Sequence, residues 1–449
     1  MGRPQKGKEM PPKLLPDSSS GSFWLDPLLV SSVLMVVMLY CNLSILVPFE
    51  RAEEGKSGSS RGNFSDLYPR WMGARELLLY GHDPYSLEVT REIQLGYYGR
   101  ALDPTHAADP KDEQRFVYPL YVVFFLAPFV HLPFEVVRRI FTLLLAGLVA
   151  WAVFLWPSIT GLQWKASTKV ATVLVVFSTL QVMQGVARLQ LSLLVFALLS
   201  SAISAVARGR LCLGGFMLAL ATIKPQLVLL PVTFLLFWSI ARRRRIFLWS
   251  FAAGLAALVV AADLVQHGWI VRFWQAVKAY RKYAAGSPLE FVFPPAAAWT
   301  LTLFTVAFAV AHLWRAGKAE SDCADFQVAL ALAMAVTTVV APIGGGYNQL
   351  FLLPAFLGLL ANRSRFQNAR LAEAVLFWSP WIVFALPWVA AIFVIVLHLM
   401  DRTSATIYRL PYLFAFMLPF FVTAAISLVG VKLWANGPPG RDTQGLVCR

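Results

Sequence analysis

The 449-residue chain has little charge. Asp, Glu, Lys and Arg make up only 14% of it, where a soluble domain carries about a quarter. That excludes a conventional soluble surface over most of its length. Cysteine is scarce: Cys41, Cys212, Cys323 and Cys448 lie too far apart for a disulfide framework or a metal-site spacing. There are six histidines, and no His/Cys/Asp cluster offers a metal-ligand signature, so no metal is expected. No low-complexity tract, soluble domain or internal repeat stands out, which weighs against the repeat halves common in transporters. The formal net charge is +15, but the basic residues are scattered between apolar runs. They read as membrane loops rather than as a nucleic-acid surface.

Hydrophobic residues are abundant, at 58%. Apolar segments fall at 27–48, 117–133, 140–157, 170–185, 189–207, 210–224, 226–241, 246–266, 295–314, 325–342, 349–361, 374–398 and 412–434. Many approach the roughly 20 residues that cross a bilayer. Backbone groups in lipid must be satisfied within the segment, so the expected fold class is an all-α polytopic membrane protein. The run Leu29–Val47 lacks a cleavage site and reads as a retained span. The chain as a whole, 1–449, reads as one transmembrane domain.

Basic residues mark the cytoplasmic side. Arg242-Arg243-Arg244-Arg245 is the strongest such marker, joined by Lys165 and Lys169, Arg208 and Arg210, Arg315 and Lys318, Arg363, Arg365 and Arg370, and the N-terminal Arg3, Lys6, Lys8 and Lys13. The markers agree only if one segment fails to cross. The segment 117–133, short and carrying Pro119, Pro128 and Pro133, is expected to enter and return. Twelve spans with both termini cytoplasmic follow. The extracytoplasmic side then holds loops 49–116, 267–294 and 400–411 and the turns near 185–190, 224–226 and 343–349. Loop 49–116 contains twelve of the 24 acidic residues, and its pattern predicts short interfacial amphipathic helices.

Polar groups at a membrane surface point first to function. Asp66 in "GNFSDLYPRW" reads as a helix cap, like Ser65, or as a group for chemistry. Asp83 in "GHDPY" suits an Asx turn. Lys224 sits in a tight turn on the side that disfavours positive charge. It reads as a snorkelling lysine or as a phosphate ligand. Arg188 and Gln190 lie at a neighbouring span start and are candidates to share that work. The 267–294 loop is basic and aromatic, which fits an anionic lipid headgroup; His267 is a lone histidine within it. In "GGGYNQ", Tyr347, Asn348 and Gln349 form a turn whose amides suit sugar hydroxyls.

The order of these features resembles the GT-C superfamily of polytopic glycosyltransferases, most closely glycosyltransferase family 87, the polyprenyl-phosphate-mannose-type mannosyltransferases of bacterial envelopes. The carrying pieces are Asp66, "GHDPY" at 81–85, a "YPL" entry, and "GGFMLALATIKP" ending at Pro225. The resemblance runs over about residues 30–360. A family pattern "G-Q-x-N" departs here: Leu189 stands for the glycine and Ser192 for the asparagine.

The resemblance implies a site on the extracytoplasmic face of the bacterial inner membrane. Asp66 would be the general base, and Lys224, Arg188 and Gln190 would hold the donor phosphate. Tyr68, Asp83, Tyr85, Gln226, His267, Tyr347, Asn348 and Gln349 are candidate substrate contacts. The implied partners are a polyprenyl-phosphate sugar, with mannose the sugar, a lipid or glycan acceptor, and membrane lipids. The donor is a substrate, and no cofactor is expected. Two other classes share these gross features: a transporter or flippase for a lipid-linked sugar, and a polysaccharide polymerase or ligase using lipid-diphosphate donors.

Overall fold

The computed structural model describes residues 26–56, 65–103, 105–106, 109–284, 286–342 and 345–435. The N-terminal basic cluster, both chain termini, Asn63, Gly344 and Cys448 lie outside the described residues. Every regular element among those described is helical. The order begins with α1 (Pro27–Tyr40), which runs through a π-helical turn into α2 (Val47–Lys56). Next come α3 (Tyr68–Tyr80), α4 (Leu87–Tyr98) and the short α5 (Val122–Leu126). The bundle continues through α6 (Phe134–Ile159), α7 (Ala166–Phe177), α8 (Leu180–Ala187), α9 (Leu191–Ala207), α10 (Leu211–Ala221), α11 (Pro225–Ala241) and α12 (Arg245–Val265). It closes with α13 (Trp269–Tyr280), α14 (Pro288–Val292), α15 (Pro295–Ala316), α16 (Ala324–Val340), α17 (Leu353–Ala361), α18 (Leu371–Leu399) and α19 (Ala405–Ala435).

Six helical stretches are long and apolar enough to cross a membrane: Pro27–Glu53, α6, α12, α15, α18 and α19. The pair α7–α8, bent by 70°, makes seven if it counts as one span. The twelve spans expected from hydropathy therefore do not all appear as full-length helices. The difference lies in α9, α10, α11, α16 and α17, none longer than 17 residues. Helices α9 and α16 are buried on nearly every side. A helix that is apolar all round is a buried one, whether protein or lipid surrounds it, and composition alone does not separate the two.

The segment 117–133 forms no spanning helix. It holds α5, followed at once by a 3-10 turn at Ala127–Phe129, and Leu120, Val122, Val123 and Leu126 are fully buried in the main core. Pro128 lies in that 3-10 turn, where its missing N–H and fixed φ discourage a long helix. The first loop also differs from a simple interfacial arrangement. Helix α3 is packed into the protein: Tyr68, Trp71, Ala74 and Leu77 are buried, and the Trp71 indole donates to the Phe129 carbonyl at 3.0 Å.

The short helices run between two ends of the molecule. At one end, the Trp238 indole donates to the Ala319 carbonyl at 3.1 Å, Arg244 pairs with Glu320 at 3.2 Å, and Arg242 also contacts Glu320. At the other end lie α3, the 188–190 and 222–224 turns and the 345–349 turn, joined by the contacts described below. Helix α11 connects them, its 17 residues spanning about 25 Å at 1.5 Å per residue.

Candidate functional site

The approach to α3 sets the site. Ser65 makes the local turn, its Oγ accepting from the Leu67 amide at 3.2 Å. Leu67 is the N-cap position and has no side-chain cap, and Pro69 falls in the first turn, where its missing N–H costs nothing. The Asp66 carboxylate therefore does not cap α3. Its main-chain N–H instead donates to the Arg188 carbonyl at 2.9 Å, fastening the loop to the turn between α8 and α9.

That turn presents Gln190, which is 3% exposed. Its Nε2 donates to Asp66 Oδ2, and its Oε1 accepts from Lys224 Nζ at 3.3 Å. One amide thus bridges carboxylate and ammonium and fixes their separation. The backbone has a special shape here: Leu189, at the position where the family pattern has glycine, holds φ +53°. A non-glycine residue in the left-handed region costs on the order of 1 kcal/mol. Full burial of the Leu189 side chain offsets this.

Lys224 is 6% exposed and occupies the N-cap position of α11, between Ile223 and Pro225. It lies in a turn outside the spanning helices. Burial, and then the nearby Arg70 cation, pull its pKa down from the usual lysine range to about 7, against the pull of Asp66. Its ammonium lies 5.4 Å from the centroid of the Tyr347 ring. That ring is held close by Gly345, where an added Cβ would fall 2.0 Å from Tyr347 Cζ. Burial raises the Tyr347 phenol well above its usual range.

Arg70, one turn after Asp66, was not singled out by the sequence. Its Nη1 donates to the Asp66 carbonyl at 2.9 Å, and its guanidinium lies 4.8 Å from the centroid of the Tyr118 ring. The spacing Asp66 to Arg70 is i to i+4, a signal that "DLYPR" does carry. Arg188 is placed differently from its expected role: its guanidinium faces Glu50 at 3.6 Å, while its carbonyl holds Asp66.

The other sequence candidates divide into four groups. Asp83 makes the Asx turn, accepting from the Tyr85 amide at 2.9 Å, and its second oxygen pairs with Arg272 of α13 at 3.0 Å. The Tyr85 hydroxyl donates to the Tyr118 carbonyl at 2.7 Å, so this pair frames the site from outside. Tyr68 is a core residue, edge-on to Phe134 with ring centroids 4.9 Å apart. His267 is 94% exposed and pairs with Asp263 at 3.0 Å. Gln226 is exposed in the first turn of α11. In the 345–349 turn, the Asn348 amide donates to the Gly345 carbonyl at 3.1 Å while its buried Oδ1 lacks a hydrogen-bond partner among the described residues. Gln349 accepts from Gln181 at 2.7 Å.

The Gln181–Gln349 pair lines an apolar groove of about 450 Å³. Val175, Phe356, Leu360, Trp381 and Phe384 are among its walls. It runs between α7–α8 and the α17–α18 region, and Gln349 in its wall lies two residues along the chain from Tyr347. Among the described residues, no group of three His, Cys, Asp or Glu side chains is gathered closely enough to hold a metal ion.

Residues 116–287 match the family model of glycosyltransferase family 87. The matched stretch includes Tyr118, Arg188, Gln190 and Lys224, and the match supports the assignment that the motifs implied. It indicates a membrane glycosyltransferase, an enzyme that uses a sugar donor and an acceptor. No curated protein and no solved structure matches the chain.

Proposed function

We propose, with assignment to glycosyltransferase family 87 as the premise, that this chain transfers a hexose from a polyprenyl-phosphate donor to a hydroxyl of a lipid or glycan acceptor. Mannose is the sugar the family resemblance implies. The site faces the extracytoplasmic side of a bacterial inner membrane, the side opposite the Arg242–Arg245 cluster by the positive-inside rule. No cofactor is invoked.

The observation that carries this reading is the Gln190 bridge, which sets Asp66 and Lys224 on either side of one amide. Asp66 accepts the proton of the acceptor hydroxyl while that oxygen attacks the anomeric carbon. The bond from the anomeric carbon to the phosphate oxygen breaks, and its electron pair leaves with the polyprenyl phosphate. Lys224 stabilises the charge that gathers on that oxygen. A single displacement inverts the anomeric centre and needs one carboxylate, unlike the paired carboxylates of glycosidases. The apolar groove lined by Gln181 and Gln349 suits the prenyl chain.

The test is transfer from a panel of radiolabelled polyprenyl-phosphate hexoses by the purified protein, with the product's anomeric configuration read by NMR. Transfer with inversion supports the reading. Transfer only from diphosphate-linked sugars, or retention of configuration, contradicts it.

A further inference from the structure

Sequence patterning offered Arg188 as the guanidinium that assists Lys224, yet the structure gives Arg188 to Glu50 and puts another arginine at the site. Arg70 touches Asp66 through the carbonyl at 2.9 Å, stacks on Tyr118, and carries a buried Nε with no hydrogen-bond partner among the described residues. A guanidinium has five N–H donors in a fixed fork and stays charged at every relevant pH. Leaving one of those donors buried and unmatched is costly unless a ligand completes it. The titratable groups around Arg70 are Asp66 on its own loop, Asp112 and Tyr118 on the segment before α5, Tyr280 at the end of α13, and Lys224. Tyr347 joins the same set, facing Asp66, Tyr118 and Tyr280.

We propose that Arg70 is a second ligand of the donor phosphate beside Lys224, and that the two cations form a cradle for that anion. This rests on the function proposed above. Arg70 and Lys224 repel one another, and a phosphate held by both replaces that repulsion with two attractions. Because Arg70 also holds the Asp66 carbonyl, seating the phosphate fixes the main chain that carries the base. The fork suits the two non-bridging phosphate oxygens, whereas a lysine offers a point charge.

Farnesyl phosphate binding to the purified full-length protein in detergent, followed by calorimetry between pH 7 and 9, tests this without turnover. Arg70→Gln is expected to weaken binding at least tenfold at pH 7 and to shift the alkaline loss of affinity upward, because Lys224 no longer faces a like charge. Arg70→Lys should bind with intermediate affinity. It carries the test if Arg70→Gln fails to fold by thermal melt. Wild-type affinity in Arg70→Gln, or in Arg70→Lys where that stands in, overturns the proposal. So does an absence of farnesyl phosphate binding by the wild type. Arg70-dependent binding in a protein that transfers sugar from no polyprenyl-phosphate hexose supports the cradle and sinks the function.

Discussion

Asp66, Gln190 and Lys224 act as one unit because a single amide joins them. Replacing Gln190 with Leu removes the bridge and leaves both charges without it, so we expect kcat to fall about a hundredfold, the lower range for losing positioned acid–base geometry. A parallel measurement of the donor KM checks whether Lys224 has also moved. The Lys224 titration gives a signed pH dependence. Its free-enzyme pKa of about 7 means the ammonium is progressively lost above neutrality. A bound phosphate favours the charged form, so binding takes up a proton there. The donor KM should therefore rise between pH 7 and 9, by up to about tenfold per pH unit. A flat profile would show that Lys224 keeps its charge or does not meet the donor.

The turns carry the site, and two of them are held by packing that substitutions can probe. Gly345→Ala drives a methyl into the Tyr347 ring, 2.0 Å from Cζ. We expect it to displace the ring from Lys224 and lower kcat/KM about tenfold, a small positional error being costly in catalysis. A change confined to stability, read by thermal melt, would mean Tyr347 only packs. Leu189→Gly tests a competition. Relief of the positive φ recovers on the order of 1 kcal/mol, while loss of a fully buried leucine costs about 2–5 kcal/mol. The variant should be less stable, despite restoring the family residue. Legibility in the sequence follows the same division. Asp66, Lys224 and Gln190 are legible as polar groups at the ends of apolar runs, and the i to i+4 spacing of Asp66 and Arg70 in "DLYPR" is a weaker signal, since helices carry many such pairs. The Glu50 partner of Arg188 was not readable, because it depends on how α2 packs against a turn more than 130 positions away. The full-length span count was not readable either, since α9 and α16 are as apolar inside protein as they would be inside lipid.

Across the whole molecule, the site and the Arg242–Glu320 cluster lie at opposite ends of α11. The apolar groove runs alongside from Gln181 and Gln349 toward Trp164 and Pro27. If it holds the prenyl chain, Thr172→Trp, on its wall, should raise KM for a long-chain polyprenyl donor about tenfold and spare a short-chain one. Equal effects on both would assign the groove to something else. The central claim is that Asp66 takes the acceptor's proton. Its most direct test is kcat of purified Asp66→Asn with the polyprenyl-phosphate hexose that the wild type uses, alongside a thermal melt and farnesyl phosphate binding. We predict a fall in kcat of about 10²–10⁴, the usual contribution of a general base, with folding and phosphate binding retained. Wild-type kcat in a folded Asp66→Asn protein would contradict the account.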